Sequence, residues 1–194
     1  MKRRAEIRRE TSETSIECRL DLDGTGQCNI KTGLGFLDHM ISALAKHGGL
    51  DLDLVAGGDT HIDDHHTVED CAIVLGRAIN EALGDRAGIT RFGSSYAPLD
   101  ESLSRAVIDL SGRPWPEIHL SLTRDTIGDV AAENLTHFLR SLAVEARMAL
   151  HVDVIRGDND HHKAESAFKA AAIALRTAVT VIGDDIPSTK GSLV

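Results

Sequence analysis

The chain has 194 residues, 42% of them hydrophobic and 26% charged, with a net charge of −9. That length can bury a sizeable core, as one compact domain or two tightly joined halves, and the composition is that of a soluble globular protein. The negative balance argues against non-specific binding to nucleic acid or to an anionic membrane, while a local cluster of Arg and Lys would still suit a small anion.

The start, MKRRAEIRRE, is basic but has no apolar stretch, so no signal peptide is expected. Residues 14–22 alternate in part and end at Asp23-Gly24, predicting a strand and a turn. Gly35-Phe36-Leu37-Asp38-His39-Met40 opens an apolar-periodic segment. Residues 50–55 alternate Leu and Asp before Gly57-Gly58, predicting a second strand. From His65, the spacing of Val68, Ala72, Leu75, Ile79 and Ala82 predicts a helix stopped by Gly84. Leu135, Phe138, Leu139, Leu142, Ala146 and Ala149 mark another helix, and residues 151–155 a short strand. Ala164, Ala167, Phe168, Ala171, Ile173 and Leu175 mark the last helix, ended by Gly183, with residues 184–194 read as a loop or mobile end. The longest apolar run, residues 170–175, is far too short to span a bilayer. Cys18, Cys28 and Cys71 form neither a CxxC pair nor an even framework, which suits a reducing cytoplasm.

One pattern occurs twice. Asp64-His65-His66-Thr67-Val68-Glu69 is answered, 96 residues on, by Asp160-His161-His162-Lys163-Ala164-Glu165. The match spreads outward: Asp21-Leu22-Asp23-Gly24 resembles Asp109-Leu110-Ser111-Gly112, and His39 and His137 lie 26 and 24 residues before His65 and His161. Two copies of an α+β unit are therefore expected, residues 1–88 and 89–194, each a mixed sheet of about four strands with two helices on one face. Together they would form an internally duplicated two-layer sandwich.

Imidazole and carboxylate are both metal ligands, and spacings of three and four residues put the Glu on the same helix face as the His. Helical neighbours point about 100° apart, so the members of each His pair should serve different ions. His39 and His137 would complete two sets of three His and one Glu, with coordination positions left open for substrate and water, as catalytic sites require. His47, His61, His119 and His151 stand alone and read as ordinary surface or core residues. Asp64 and Asp160 read equally as helix N-caps or as carboxylates orienting the ligands from behind. Arg91, Arg113, Lys169, Ser188 and Lys190 carry donors that suit an anion such as phosphate.

At these residues the chain resembles the imidazoleglycerol-phosphate dehydratase family. FLDHM, DHHTVED, SGRPW, HFLRSLA, HHKAESAFKA and PSTKG occur in the family's order, and the resemblance runs from about Arg8 to the C-terminus. HFLRSLA departs mildly, with Leu139 where the family commonly has Phe. No fused phosphatase domain is present, as in the monofunctional form.

The resemblance implies a cytoplasmic hydro-lyase of histidine biosynthesis that assembles as 24 subunits with active sites at their interfaces. Each site would hold two Mn²⁺ ions, one on His65, His137, His161 and Glu165, the other on His39, His66, Glu69 and His162. The reaction implied turns imidazole-glycerol phosphate into imidazole-acetol phosphate and water through a metal-bound imidazolate. The ring helps to expel the neighbouring hydroxyl, a base takes the adjacent C–H proton, and the enol becomes the ketone. His65, Glu69, His161 and Glu165 would take part in catalysis through the metals. Glu13 matches the family's substrate-contacting Glu and is the candidate acid or base. Arg91, Arg113, Lys169, Ser188 and Lys190 match substrate contacts, mainly to phosphate. A metal store or sensor would need the His and Glu ligands but neither Glu13 nor the anion cluster; a metal-dependent phosphatase would release phosphate instead.

Overall fold

In the computed structural model, which describes residues 3–193, the chain runs twice through the same order of elements. The first half contributes β1 (Arg4–Glu10), β2 (Thr14–Asp21), β3 (Cys28–Lys31), α1 (Gly35–Gly48), β4 (Asp51–Gly58) and α2 (His65–Leu83). The second contributes β5 (Phe92–Leu99), β6 (Ser102–Asp109), β7 (Trp115–His119), a hairpin of β8 (Thr126–Ile127) and β9 (Val130–Ala131), then α3 (Ala132–Glu145), β10 (Ala149–Arg156) and α4 (Asp160–Val179). The sheets run β1-β2-β4-β3 and β5-β6-β10-β7. In each, the last pair is parallel and the others antiparallel. This is the duplicated α+β architecture that the sequence repeat predicts. The β8–β9 hairpin carries no sequence signal of its own, because two-residue strands are too short to show alternation.

Alternation sets which face of each sheet is buried. Thr14, Ile16, Cys18 and Leu20 of β2 point inward while Ser15, Glu17 and Arg19 face outward. The inward faces are covered by helices, and the helices of the two halves then meet. Helix α2 packs on the first sheet and against α3, while α4 packs on the second sheet and against α1. Phe138 of α3 and Phe168 of α4 are fully buried, with ring centroids 5.6 Å apart. Such a pair adds roughly 0.5–1.5 kcal/mol beyond its buried area.

Close approach at these seams requires small residues. The buried face of α4 is largely alanine, and a Cβ on Gly93 of β5 would fall 1.9 Å from the Ala174 carbonyl oxygen. A Cβ on Gly76 of α2 would fall 2.7 Å from Glu145 Cβ and 2.9 Å from the Leu142 carbonyl oxygen of α3.

Two helix ends differ from the periodicity. Helix α3 stops at Glu145, not Ala149, because Arg147 adopts a left-handed φ of 52° and donates from Nε to the Gly112 carbonyl at 3.1 Å. Ala149 instead begins β10. Helix α4 stops at Val179, ahead of Gly183, because Thr180 turns extended and Val181 bridges to Ile89. The tail that follows is irregular and is tied back where the Gly88 N–H donates to the Asp185 carbonyl at 2.8 Å. Val194 lies outside the described residues.

Gly76→Ala should destabilise the protein by about 1–3 kcal/mol, since the seam has no room for a methyl group. Gly57→Ala, where nothing lies within 4 Å of the added atom, should stay within about 0.5 kcal/mol. Urea unfolding midpoints compare the two; equal stability would show that the seam relaxes freely.

Candidate metal centre

The start of α2 holds the first group of ligand-type side chains. Glu69 lies one turn beyond His65, and α3, packed alongside, brings up His137. His137 Nε2 lies 3.0 Å from Glu69 Oε1, His65 Nε2 lies 3.8 Å from Glu69 Oε2, and the two rings stack with centroids 5.0 Å apart. The start of α4 repeats this arrangement with α1. His39 Nε2 and His161 Nε2 lie 3.1 and 3.2 Å from Glu165 Oε2. In each trio one donor atom per residue lies within 4.8 Å of the others. Two imidazole nitrogens and a carboxylate oxygen converging this closely are a fitting donor set for a divalent metal. The ring of His65 is oriented to act as a ligand, since its Nδ1–H donates to Asn134 Oδ1 at 3.0 Å and leaves the Nε2 lone pair toward the cluster. The trios are partly exposed, so a further ligand can enter from outside.

His66 and His162 join neither trio. As helix geometry predicts, each diverges from its neighbour, with ring centroids 6.1 Å apart in both pairs. His66 Nδ1 bonds Asp59 at 3.0 Å and His162 Nδ1 bonds Glu101 at 2.7 Å. The Asp59 hydrogen bond raises the His66 pKa, and Glu101 raises that of His162. Glu101 is itself held well below the usual carboxylate range by the Asn159 backbone N–H and by His162. Burial alone would push Glu165 up, but hydrogen bonds from Lys169 and His39 prevail and hold it at about 2.

Within one chain the ligand-type side chains group by helix pairing, whereas the division that the resemblance implies draws on more than one subunit. Glu69 stands with His65 and His137 rather than with His39 and His66; His39 stands with His161 and Glu165. The reason is the helix pairing, since α3 lies on α2 and α1 lies on α4.

The side chains of the two aspartates that precede the His pairs neither cap their helices nor orient the ligand rings. Asp63 and Asn159 accept from the His65 and His161 N–H groups instead, each at 2.9 Å. Asp64 accepts the Ala131 N–H at 2.8 Å, fastening α2 to β9. Asp160 is buried and accepts from the N–H groups of Thr123 and Arg124, both at 2.7 Å, and from Lys163 Nζ at 2.8 Å. Burial would raise its pKa, but these bonds, led by Lys163, hold it well below the usual carboxylate range. Asp129, at the β8–β9 turn, accepts from the Gly35 and Phe36 N–H groups and so fixes the start of α1 four residues before His39.

A family model described as imidazoleglycerol-phosphate dehydratase matches residues 32–175. The chain belongs to the imidazoleglycerol-phosphate dehydratase family. The family's members are hydro-lyases. A relative of that name from Zymomonas mobilis is 53% identical over 196 residues, covering 100% of both chains. Another, from Phytophthora nicotianae, is 58% identical over 192 residues, which span 98% of this chain but only 42% of that protein. The crystal structure of imidazoleglycerol-phosphate dehydratase from Staphylococcus aureus superposes with a TM-score of 0.83 at 36% identity, covering 92% of this chain and 99% of that one.

The side chains that resemble the family's substrate contacts do not gather in one place within the chain. Lys169 Nζ lies 2.6 Å from Glu165 Oε1, at the α1–α4 trio. Arg91 lies at the other end of α4, where its N–H donates to the Ala178 carbonyl at 2.9 Å. The 17 residues from His161 to Ala178 span roughly 25 Å of helix. There the Arg91 guanidinium grips Asp109 at 2.7 and 3.1 Å and the Pro187 carbonyl at 2.9 Å, so it anchors the tail carrying Ser188 and Lys190. Arg113 is exposed a few residues beyond Asp109. Glu13 lies by the α2 histidines, its Oε2 3.9 Å from His66 Nδ1. Asp70 of α2 holds that turn by accepting from Thr14 Oγ1 at 2.5 Å and from Arg9 Nε at 2.9 Å. Asp59, Glu101 and Asn134 are the partners that pattern reading missed. Asn134 alone left a trace, sitting three residues before His137 on one helix face.

Asp160→Ala should destabilise the fold by about 3–5 kcal/mol, because it strands the buried Lys163 ammonium. Adding Lys163→Met should recover much of that loss. Denaturant unfolding of the single and double variants is the measurement; an Asp160→Ala protein as stable as the wild type would refute the role.

Proposed function

We propose that this protein dehydrates imidazole-glycerol phosphate to imidazole-acetol phosphate in histidine biosynthesis, using two Mn²⁺ ions per active site. The observation that carries the reading is the pair of matching His/His/Glu trios at equivalent helix starts of a family member. One ion would be held by His65, His137, His161 and Glu165 and the other by His39, His66, Glu69 and His162, each set drawn from more than one copy. His66 and His162, which join neither trio, would complete sites with neighbouring copies. When bound, such ions supply Lewis acidity that stabilises negative charge on the substrate ring.

The distance between the trios and the Arg91 end of α4 supports assembly of each active site from several copies, in a 24-subunit particle. A phosphate held by Arg91, Arg113, Ser188 and Lys190 of one chain would then reach the trios of another, with Lys169 supplying positive charge beside the metal-binding carboxylate. The ring helps to expel the hydroxyl on its own carbon, and Glu13 accepts the proton from the neighbouring diol carbon. That proton and the hydroxide together make the water released, and the resulting enol becomes the ketone. Exposed beside His66 without a short hydrogen bond to it, Glu13 has a free carboxylate oxygen for this transfer. Among the described residues no helix is long and apolar enough to cross a membrane, and a cytoplasmic location is part of the proposal.

Incubation with imidazole-glycerol phosphate, followed by colorimetric assays of ketone and free phosphate, tests the reading. Ketone without phosphate is expected; phosphate release would favour a phosphatase, and neither product a metal store or sensor. His65→Ala and His161→Ala should each lose bound Mn²⁺ and activity, by at least the roughly 10–100-fold that loss of a supporting partner produces. His119→Ala, at an exposed residue paired with Glu117, should change little. Elemental analysis per subunit decides, and full occupancy in both ligand variants would sink the assignment.

Glu13→Gln should lower kcat by about 10²–10⁴-fold with metal content and substrate affinity retained, as expected for a proton-transfer group. Lys190→Ala should mainly raise KM, as loss of a phosphate contact does. A Glu13→Gln enzyme with near-normal kcat would eliminate Glu13 as the base.

A further inference from the structure

Glu13 and Glu101 occupy matching places in the repeat, each immediately before the second strand of its sheet, β2 or β6. Their surroundings differ. Glu101 Oε2 accepts from His162 Nδ1 at 2.7 Å, and its Oε1 accepts from the Asp158 and Asn159 N–H groups at 3.1 and 2.9 Å and from Ser102 Oγ at 3.1 Å. Glu13 stands 3.9 Å from His66 Nδ1, beyond hydrogen-bond reach, because Asp59 takes that nitrogen at 3.0 Å.

The difference lies in the connection between the last sheet strand and the His-pair helix. Asp59 directly follows β4, and the residue that directly follows β10 is Gly157. A Cβ on Gly157 would fall 2.3 Å from Ser102 Oγ and 2.9 Å from Lys163 Cγ. Gly157 matches Gly58, which is equally crowded, a Cβ there falling 2.1 Å from Thr67 Oγ1. Asp59 is therefore matched by Asp158, and the halves differ in the connection to the His-pair helix, residues 59–64 against 157–159. In the second half the hairpin glutamate bonds the ring, and the Asp158 N–H bonds that glutamate.

A neutral imidazole has one donor nitrogen and one acceptor nitrogen, so an acceptor at Nδ1 fixes Nε2 as the lone-pair atom. We propose that Glu101 is a positioning residue that locks His162 in the Nδ1–H form, keeping Nε2 available as a metal ligand. Asp59 does the same for His66, which leaves Glu13 disengaged for chemistry. The duplicated hairpin has thus divided its labour, with one glutamate fixing a ligand and the other facing substrate. The proposal rests on the metal reading above.

Glu101→Gln is a nearly isosteric test. The Asp158 and Asn159 N–H groups require the amide oxygen, so the amide NH₂ must face His162. A donor there forces Nδ1 to accept, places the proton on Nε2 and removes it as a ligand, as happens when the orienting aspartate of a serine protease becomes asparagine. In the full-length protein, Mn²⁺ titration followed by the EPR signal of the free ion should show binding weakened about 10–100-fold for one of the two ions per chain. Far-UV circular dichroism should be unchanged. Glu117→Gln removes the same charge from an exposed Glu–His pair and should bind Mn²⁺ as the wild type does. Nitrogen-15 NMR of the metal-free proteins should show His162 as Nδ1–H in the wild type and Nε2–H in Glu101→Gln. Wild-type Mn²⁺ affinity in Glu101→Gln, or an Nε2–H ring in the wild type, would overturn the positioning role. A wild type that takes up no Mn²⁺ would instead overturn the metal reading, and the NMR result would still decide whether Glu101 fixes the ring.

Discussion

The packing of one half's helices on the other's is the constraint on which the rest depends. Each four-stranded sheet has an apolar face that its own pair of helices covers, and those helices are themselves apolar on the far side. Burial of that second face is achieved only by the other half. The pairing that results, α1 on α4 and α2 on α3, decides which histidine meets which glutamate. His39 and His137 are carried on short helices beside the long ones, and each completes a trio begun by an i,i+4 His–Glu pair. Gly76 and the alanine face of α4 let the backbones approach closely enough for this to happen.

The duplicated halves share a backbone plan but not their polar contacts. Asp64 reaches across to β9 of the second half, whereas Asp160 ties down the loop before β8 within its own half. The β8–β9 hairpin has no counterpart among the first-half elements, yet it serves that half: Asp129 caps α1 and the Ala131 N–H receives Asp64. Both helix starts that carry first-half ligands are therefore fixed by a second-half insertion. The small hairpin makes the two trios parts of one framework.

Charge placement follows the same geometry. The α4 trio lies at the start of its helix and Arg91 near its end, with Lys169 one turn beyond Glu165. Within one chain the guanidinium of Arg91 neutralises Asp109 and grips the tail, a contact that arranges Ser188 and Lys190 rather than the ligand cluster.

The sequence by itself determined the duplicated α+β plan, the ligand types and the divergence of each His pair. All three depend on short-range regularities: strand alternation, helical spacing, and the 100° step between helical neighbours. It also placed the ends of α2 at His65 and Gly84, where the apolar period begins and a glycine stops it. The tertiary structure alone decided which of the ligand-type side chains meet within the chain, because that depends on which helices pack together across the halves. It alone revealed Asp59, Glu101 and Asp129 as partners, since each acts on a residue brought near by folding or by a turn with no periodic signal. Asp64 and Asp160 show the limit most plainly. Their sequence position suggests a role at their own helix ends, yet their carboxylates bond backbone in other segments, and only long-range packing determines which.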